Sequence, residues 1–180
     1  MNNIFCYEIK KNEGDYRRLI VSEGHCELFF GTSFVEEKGL TKCYADVSDY
    51  FAVGTYVEIP LRAALDIVIA VLRGILGAAY RYMLPWDYVI SVKTVYADRT
   101  GEKAKLIYMP AATGKSGSKI GSVSKAMRSF CNELSERISA EEKEAFVEVS
   151  SVFEKEYLKP EECLRELYML RRKIKTCLDL

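Results

Sequence analysis

The sequence predicts an α+β fold, and three observations predict it. Short aromatic and β-branched runs, punctuated by glycine turns, fill the first third of the chain. A long apolar stretch follows Pro60 and carries few charges. The last third repeats apolar residues at helical spacing. Strands followed by helices argue for α+β rather than a parallel α/β sheet. The chain reads as one domain over 1–180, with a β-rich part over 1–58 and a helical part with a β-hairpin over 59–180.

The first part divides into strands at Ile4–Ile9, Tyr16–Ser22, Cys26–Phe30 and Thr41–Val47. Glu13-Gly14-Asp15, Glu23-Gly24 and Lys38-Gly39 supply the turns between them. Tyr44, Asp46 and Ser48 alternate with Ala45 and Val47, the period-two pattern of a sheet with one exposed face. Tyr50–Glu58 is a connector around Gly54.

Pro60 suits the first turn of a helix, where a missing N–H costs nothing. The helix should run to about Met83 and stop before Pro85. It is apolar almost all round, so other elements must cover it. Arg62, Asp66, Arg73 and Arg81 interrupt the stretch, which argues for a buried core helix rather than a membrane span. Gly74, Gly77, Ala78 and Ala79 leave one flank small, open to close approach by another backbone.

A hairpin follows, with strands at Tyr88–Tyr96 and Lys103–Met109 and a turn at Asp98-Arg99-Thr100-Gly101. Thr113–Gly121 reads as a loop. The spacing of Ile120, Val123, Met127, Phe130, Leu134 and Ile138 predicts a helix over Ser118–Arg137. Ser139 and Glu142 form a capping-box pattern before a helix with Phe146, Val149, Phe153 and Tyr157 inward. Pro160 opens the last helix, with Leu164, Leu167, Ile174 and Leu178 inward. A helix running to the last residue suits a fragment of a longer protein.

Composition excludes several functions. Lys plus Arg equals Asp plus Glu, at 26 each, so no global field draws the chain to nucleic acid. Met1-Asn2-Asn3 begins no signal peptide, and no direct membrane insertion is expected. The six cysteines, at 6, 26, 43, 131, 163 and 177, form no CxxC or metal-like cluster. They read as free thiols of a cytoplasmic protein. No cofactor is expected.

No catalytic constellation is complete. Met109 to Ser116 tempts a phosphate-loop reading, but Met109 stands where the first glycine must be. Gly114, Lys115, Ser116 and Gly117 remain a candidate anion-binding loop, since amides near a helix start attract phosphate. His25, the one histidine, has no nucleophile motif beside it. Glu141, Glu142, Glu144 and Glu148 suit a helix start, where the dipole favours anions. Arg165, Arg171, Arg172, Lys173 and Lys175 suit the end of the last helix, solvated or docking an acidic partner. Tyr82, Trp86 and Tyr88 are the candidate surface for a protein partner, because aromatic residues concentrate at interfaces.

One resemblance stands on Tyr44-Ala45-Asp46-Val47-Ser48, Leu72-Arg73-Gly74-Ile75-Leu76 and Tyr82-Met83-Leu84-Pro85-Trp86-Asp87-Tyr88. It continues through Val95-Tyr96-Ala97-Asp98 and Lys105-Leu106-Ile107-Tyr108-Met109-Pro110. The segment resembles an uncharacterised domain of Gram-positive bacteria found ahead of forkhead-associated domains. It is also similar, more distantly, to the degenerate kinase-like cytosolic domain of type VII secretion membrane subunits.

The resemblance implies a kinase-like topology and, with it, a pseudoenzyme. A kinase needs a catalytic Asp, a metal-binding Asn, a metal-binding Asp-Phe-Gly, a glycine-rich loop and a Lys–Glu pair. Here no Asn follows Asp87, and Tyr108-Met109-Pro110 stands where the second metal ligand should be. No glycine-rich loop precedes the early strands. The expectation is a non-catalytic regulatory or scaffolding domain. The alternative is a nucleotide-binding protein or enzyme using the Gly114–Ser118 loop and Asp87.

Overall fold

A computed structural model of the chain describes residues 4–10, 16–110, 123–155 and 158–178. The architecture is α+β, with two small antiparallel sheets and five helices among the described residues.

The first sheet contains β1 (Ile4–Lys10), β2 (Thr32–Glu37) and β3 (Leu40–Asp46) in the order β1-β3-β2. Lys38 and Gly39 turn between β2 and β3 with φ of 49° and 82°. Glu37 pairs with Leu40, so two left-handed residues close the hairpin. Such a turn matches the twist of its strands and favours glycine.

Two strand expectations in this region fail. Tyr16–Ser22 is a helix, α1. Its covered residues are Arg17, Arg18, Ile20 and Val21, related by steps of three and four rather than by alternation. Seven residues rich in β-branched side chains read either way until their neighbours are known. Cys26–Phe30 is irregular, joined to the second sheet by one parallel bridge from Phe29 to Leu106. The strand lies just after it, at β2, whose outer residues are mostly exposed because β2 is a sheet edge.

The second sheet contains β4 (Phe51–Ala52), β5 (Val95–Ala97) and β6 (Ala104–Leu106) in sequence order. The β5–β6 turn falls at Asp98–Gly101 as expected. Gly101 has φ of 77°, and a Cβ there would lie 2.8 Å from the carbonyl oxygen of Ala63. The turn therefore needs glycine for its conformation and for its approach to the central helix.

Both strands of this hairpin are shorter than the sequence predicts. Tyr88 keeps an antiparallel bridge to Pro110, and the Val89 N–H donates to the Met109 carbonyl (2.9 Å). The residues between Val89 and Thr94 are held instead by Thr94, whose hydroxyl donates to the Val89 carbonyl (3.0 Å) and accepts from the Ser91 N–H (3.1 Å). A buried threonine thus replaces ladder bonds with local ones.

Helix α2 (Leu61–Ala79) is the centre of the molecule, with Pro60 at its N-cap. Twelve of its 19 residues are buried. It packs against α3 (Val123–Ser135), α4 (Lys143–Ser151), α5 (Pro160–Leu178) and β6. Met127, Phe130, Leu134 and Ile138 point into the core, as do Phe146, Val149 and Phe153. On α5, Leu167 is buried while Leu164 and Ile174 are half-buried. Ile120, Tyr157 and the side chain of Leu178 lie outside the described residues.

The Ser139–Glu142 pattern does more than predicted. Ser139 Oγ accepts the Glu142 N–H (3.3 Å), as a capping residue does. The Glu142 carboxylate accepts from the Leu61 N–H instead (3.1 Å), capping the start of α2. A negative charge sits there against the positive end of the helix dipole.

Asp66 is the charged residue buried on α2. It accepts from Arg62 (3.1 Å) and from Arg171 Nε on α5 (2.5 Å), and Arg171 also reaches Glu102 (2.9 Å). Arg171 therefore serves the interior rather than the solvated basic face the sequence suggests. We expect Asp66→Ala to destabilise the fold by roughly 3 kcal/mol, the lower end for breaking a buried pair because Arg171 can rehydrate. A urea titration measures it, and a shift under about 1 kcal/mol would make the pair decorative.

Candidate functional site

The C-terminal end of α2 brings the expected aromatic residues to one region, though not to one surface. The helix closes with the Met83 N–H donating to the Ala78 carbonyl and the Tyr82 N–H to that of Ala79. This is the arrangement in which the penultimate residue turns left-handed, usually as glycine. Here that residue is Tyr82, with φ of 58°. Met83 beyond it is fully buried.

Tyr82 is 77% exposed and Trp86 is 42% exposed. The Tyr16 hydroxyl, from α1, donates to the Tyr82 carbonyl (2.8 Å). Tyr16 is exposed too, and its ring lies under the Arg17 guanidinium. Sequence reasoning missed Tyr16, because it placed that segment in a strand. Tyr88, by contrast, is a core residue at 2% exposure. Its ring meets Phe29 edge-on at 4.9 Å. Its hydroxyl has no hydrogen-bond partner among the described residues, and burial pushes its ionisation well above the ordinary tyrosine range. Tyr88 cannot be part of a partner surface.

Asp87 sits between these residues and is occupied on both oxygens. Oδ1 accepts from Arg17 (2.6 Å), and Oδ2 accepts from the Leu84 N–H (2.9 Å). The second contact braces a tight turn completed by the Asp87 N–H and the Leu84 carbonyl (2.8 Å). Asp87 thereby ties α1 to the loop after α2. Gly114, Lys115, Ser116 and Gly117 lie outside the described residues.

Between the two sheets, the space is filled by aromatic rings. Phe30 meets Tyr50 and Tyr96 edge-on, at 5.1 and 5.7 Å, and Phe5 meets Tyr96 at 6.1 Å. Such edge-on geometry is the favourable one for ring quadrupoles. The Tyr7 hydroxyl donates to the Tyr108 carbonyl (2.5 Å), closing the other side. What remains is an open hollow of about 520 Å³ at the edge. Phe5, Val47, Tyr50, Phe51 and Tyr96 line it, and no charged side chain among the described residues does.

This region keeps its ionisable groups neutral. Burial raises Tyr7 far above its ordinary range. Cys43, opposite Tyr7 in the β1–β3 register, is pushed up to about 11, mainly by burial. Among the described residues no group of three His, Cys, Asp or Glu side chains could hold a metal ion. Cys26, Cys131 and Cys163 are likewise free and buried, while Cys6 is exposed. No described helix is long and apolar enough to cross a membrane.

No family model matches the chain, and no curated protein does. Among solved structures it is similar to a divergent kinase lacking the glycine-rich loop, which regulates membrane ultrastructure of the Toxoplasma parasitophorous vacuole. The TM-score is 0.52 at 15% identity, over 92% of this chain and 67% of that one. The fold is therefore kinase-like, as the resemblance implied. At this identity the likeness concerns the fold alone.

Two outcomes test the local chemistry. Tyr82→Gly should raise stability by about 1 kcal/mol, because it removes a left-handed non-glycine residue; a thermal melt reads the change. The Cys43 proton is held more tightly folded than unfolded, since the group moves from 9.0 to about 11. Its contribution is complete below pH 9 and is lost as pH rises toward 11. Urea midpoints should fall across that window, and fall less steeply in Cys43→Ala.

Proposed function

We propose that this chain is a non-catalytic, kinase-like domain that acts by holding another protein. The observation that carries the reading is the filled space between the sheets. A kinase binds nucleotide under a glycine-rich loop and reads its phosphates with a Lys and two metal ions. Here Phe5, Tyr7, Phe30, Tyr50 and Tyr96 occupy the space between the sheets, and the hollow left beside them offers no charge.

The charges around α1 support the same reading. A kinase pairs its strand Lys with a Glu on the following helix. The helix that follows β1 contains no acid and carries Arg17 and Arg18. Arg17 neutralises Asp87, the acid nearest to a catalytic-base position. A site that has lost both metal ligands and its base cannot offset the charge of a transferring phosphoryl group.

The face around Tyr16, Tyr82 and Trp86 is where we place the partner. Tyr82 holds a strained backbone while its ring stays in solvent, which stability alone does not favour. Exposed Tyr and Trp offer large contact area at low entropic cost. The resemblance to a domain found ahead of forkhead-associated domains fits a regulatory role of this kind.

Titration with Mg·ATP and with Mg·GTP should leave thermal unfolding unchanged. A nucleotide at a hundredfold over its Kd would add roughly 2.7 kcal/mol, several degrees for a chain of this size; such a shift would overturn the reading. A photo-crosslinker at position 82 or 86 should give a discrete protein adduct in the native host. At the exposed position 144 on α4 it should not. Adducts at neither 82 nor 86 would remove this face.

A further inference from the structure

A second surface lies along α2, on the face that carries Ala70, Gly74 and Gly77. Residues at these spacings share one side of a helix. With the 24–28 segment and β6, this face walls a groove of about 990 Å³. Among the described residues, Arg73, Arg81, Lys103 and Lys105 line it against a single carboxylate, Glu27. The chain as a whole carries 26 positive and 26 negative side chains, so this is a local segregation of charge.

The four cations are not spent on the fold. Among the described residues none of them takes part in an ion pair. Lys105 differs from the other three in resting over the Phe30 ring at 5.7 Å, a contact within the fold.

The two glycines have different reasons. A Cβ at Gly74 would lie 2.6 Å from Leu28 Cδ1, so packing demands glycine there. A Cβ at Gly77 would meet nothing within 4 Å. A mid-helix glycine costs about 1 kcal/mol relative to alanine, and no neighbour within the fold requires it. Gly77 keeps the floor bare.

The outer edge of β6 is covered at Leu106, and among the described residues one position on it, Ala104, keeps its backbone groups unpaired. The Asp98 N–H bonds the Lys103 carbonyl and the Ile107 N–H bonds that of Thr94, so odd-numbered residues face β5. Leu106 faces the other way and is bonded to Leu28 and Phe30. Ala104 points its N–H and carbonyl the same way as Leu106, beyond the end of that pairing. A strand edge of this kind accepts an added peptide.

We propose that this groove takes an extended acidic segment of a partner protein, laid against the open backbone groups of Ala104 with its carboxylates on Arg73, Arg81, Lys103 and Lys105. A peptide uses the backbone groups of Ala104, which a nucleic acid does not. Glu27 within the groove and the neutral net charge also weigh against a polyphosphate backbone. The proposal does not rest on the Tyr82–Trp86 face.

Fluorescence anisotropy tests it on the full chain, with a labelled decapeptide alternating glutamate and valine. Binding should be saturable and weaken with salt. Arg73→Glu and Lys103→Glu should each lower affinity at least about tenfold. Gly77→Leu should lower it about tenfold while the melting temperature holds or rises, since the site has room and leucine favours helix. Trp86→Ala should bind like the parent. Absence of saturable binding, or unchanged binding in Gly77→Leu, would overturn the proposal. So would tighter binding of decathymidylate or of anionic vesicles than of the peptide.

Discussion

The structure depends on one constraint, a helix that is apolar on most of its circumference and meets water along one flank only. Helix α2 extends about 28 Å at 1.5 Å per residue, and apolar residues occur on nearly all of its circumference. Helices α3, α4 and α5 cover part of it, and β6 and Leu28 cover more. Burial of this surface is the dominant favourable term available to the fold. The buried polar groups of α2 are answered from other elements. Glu142 satisfies the first N–H of the helix, and Arg171 satisfies Asp66. These two contacts set where α4 and α5 sit, because each fixes a point on α2 to a point on its neighbour.

The elements with a long period were legible in the sequence. The apolar run from Leu61, the stripe through Met127, Phe130 and Leu134, and the punctuation at Lys38-Gly39 and Asp98–Gly101 all specify their own structure. Short pieces were not legible. Tyr16–Ser22 has the composition of a strand, and only its contacts decide for a helix. Residues 89–94 have the composition of a strand too, but Thr94 captures their backbone locally. The site divides in the same way. Trp86 and Tyr82 are exposed as their type suggests, whereas Tyr88, two residues beyond Trp86, turns inward to Phe29. Tyr16 joins them across 66 residues of chain, a distance that no local pattern encodes. The groove cations come from α2 and the turn after it, and from β6 and the residue before it, so their convergence also belongs to the tertiary structure.

The kinase-like topology of this molecule does not by itself carry kinase chemistry. A fold is a way of packing layers, and its activity resides in a few side chains placed on it. Aromatic rings between the sheets serve the packing well, through edge-on contacts and the burial of large apolar area. The same rings leave little polar chemistry in that space, as the raised Tyr7 and Cys43 protonation equilibria record.

The Arg17–Asp87 contact has a consequence for mutagenesis. Asp87 holds α1 through Arg17 and holds the turn at Leu84 with its other oxygen. Replacing it would release a helix, a turn and a cation together. An Asp87 variant that lost its biological effect would therefore imitate the phenotype expected of a missing general base. The informative control is the reciprocal one: Arg17→Gln would undo the tether while leaving the carboxylate in place, so a shared phenotype would assign the loss to detachment of α1 rather than to proton transfer.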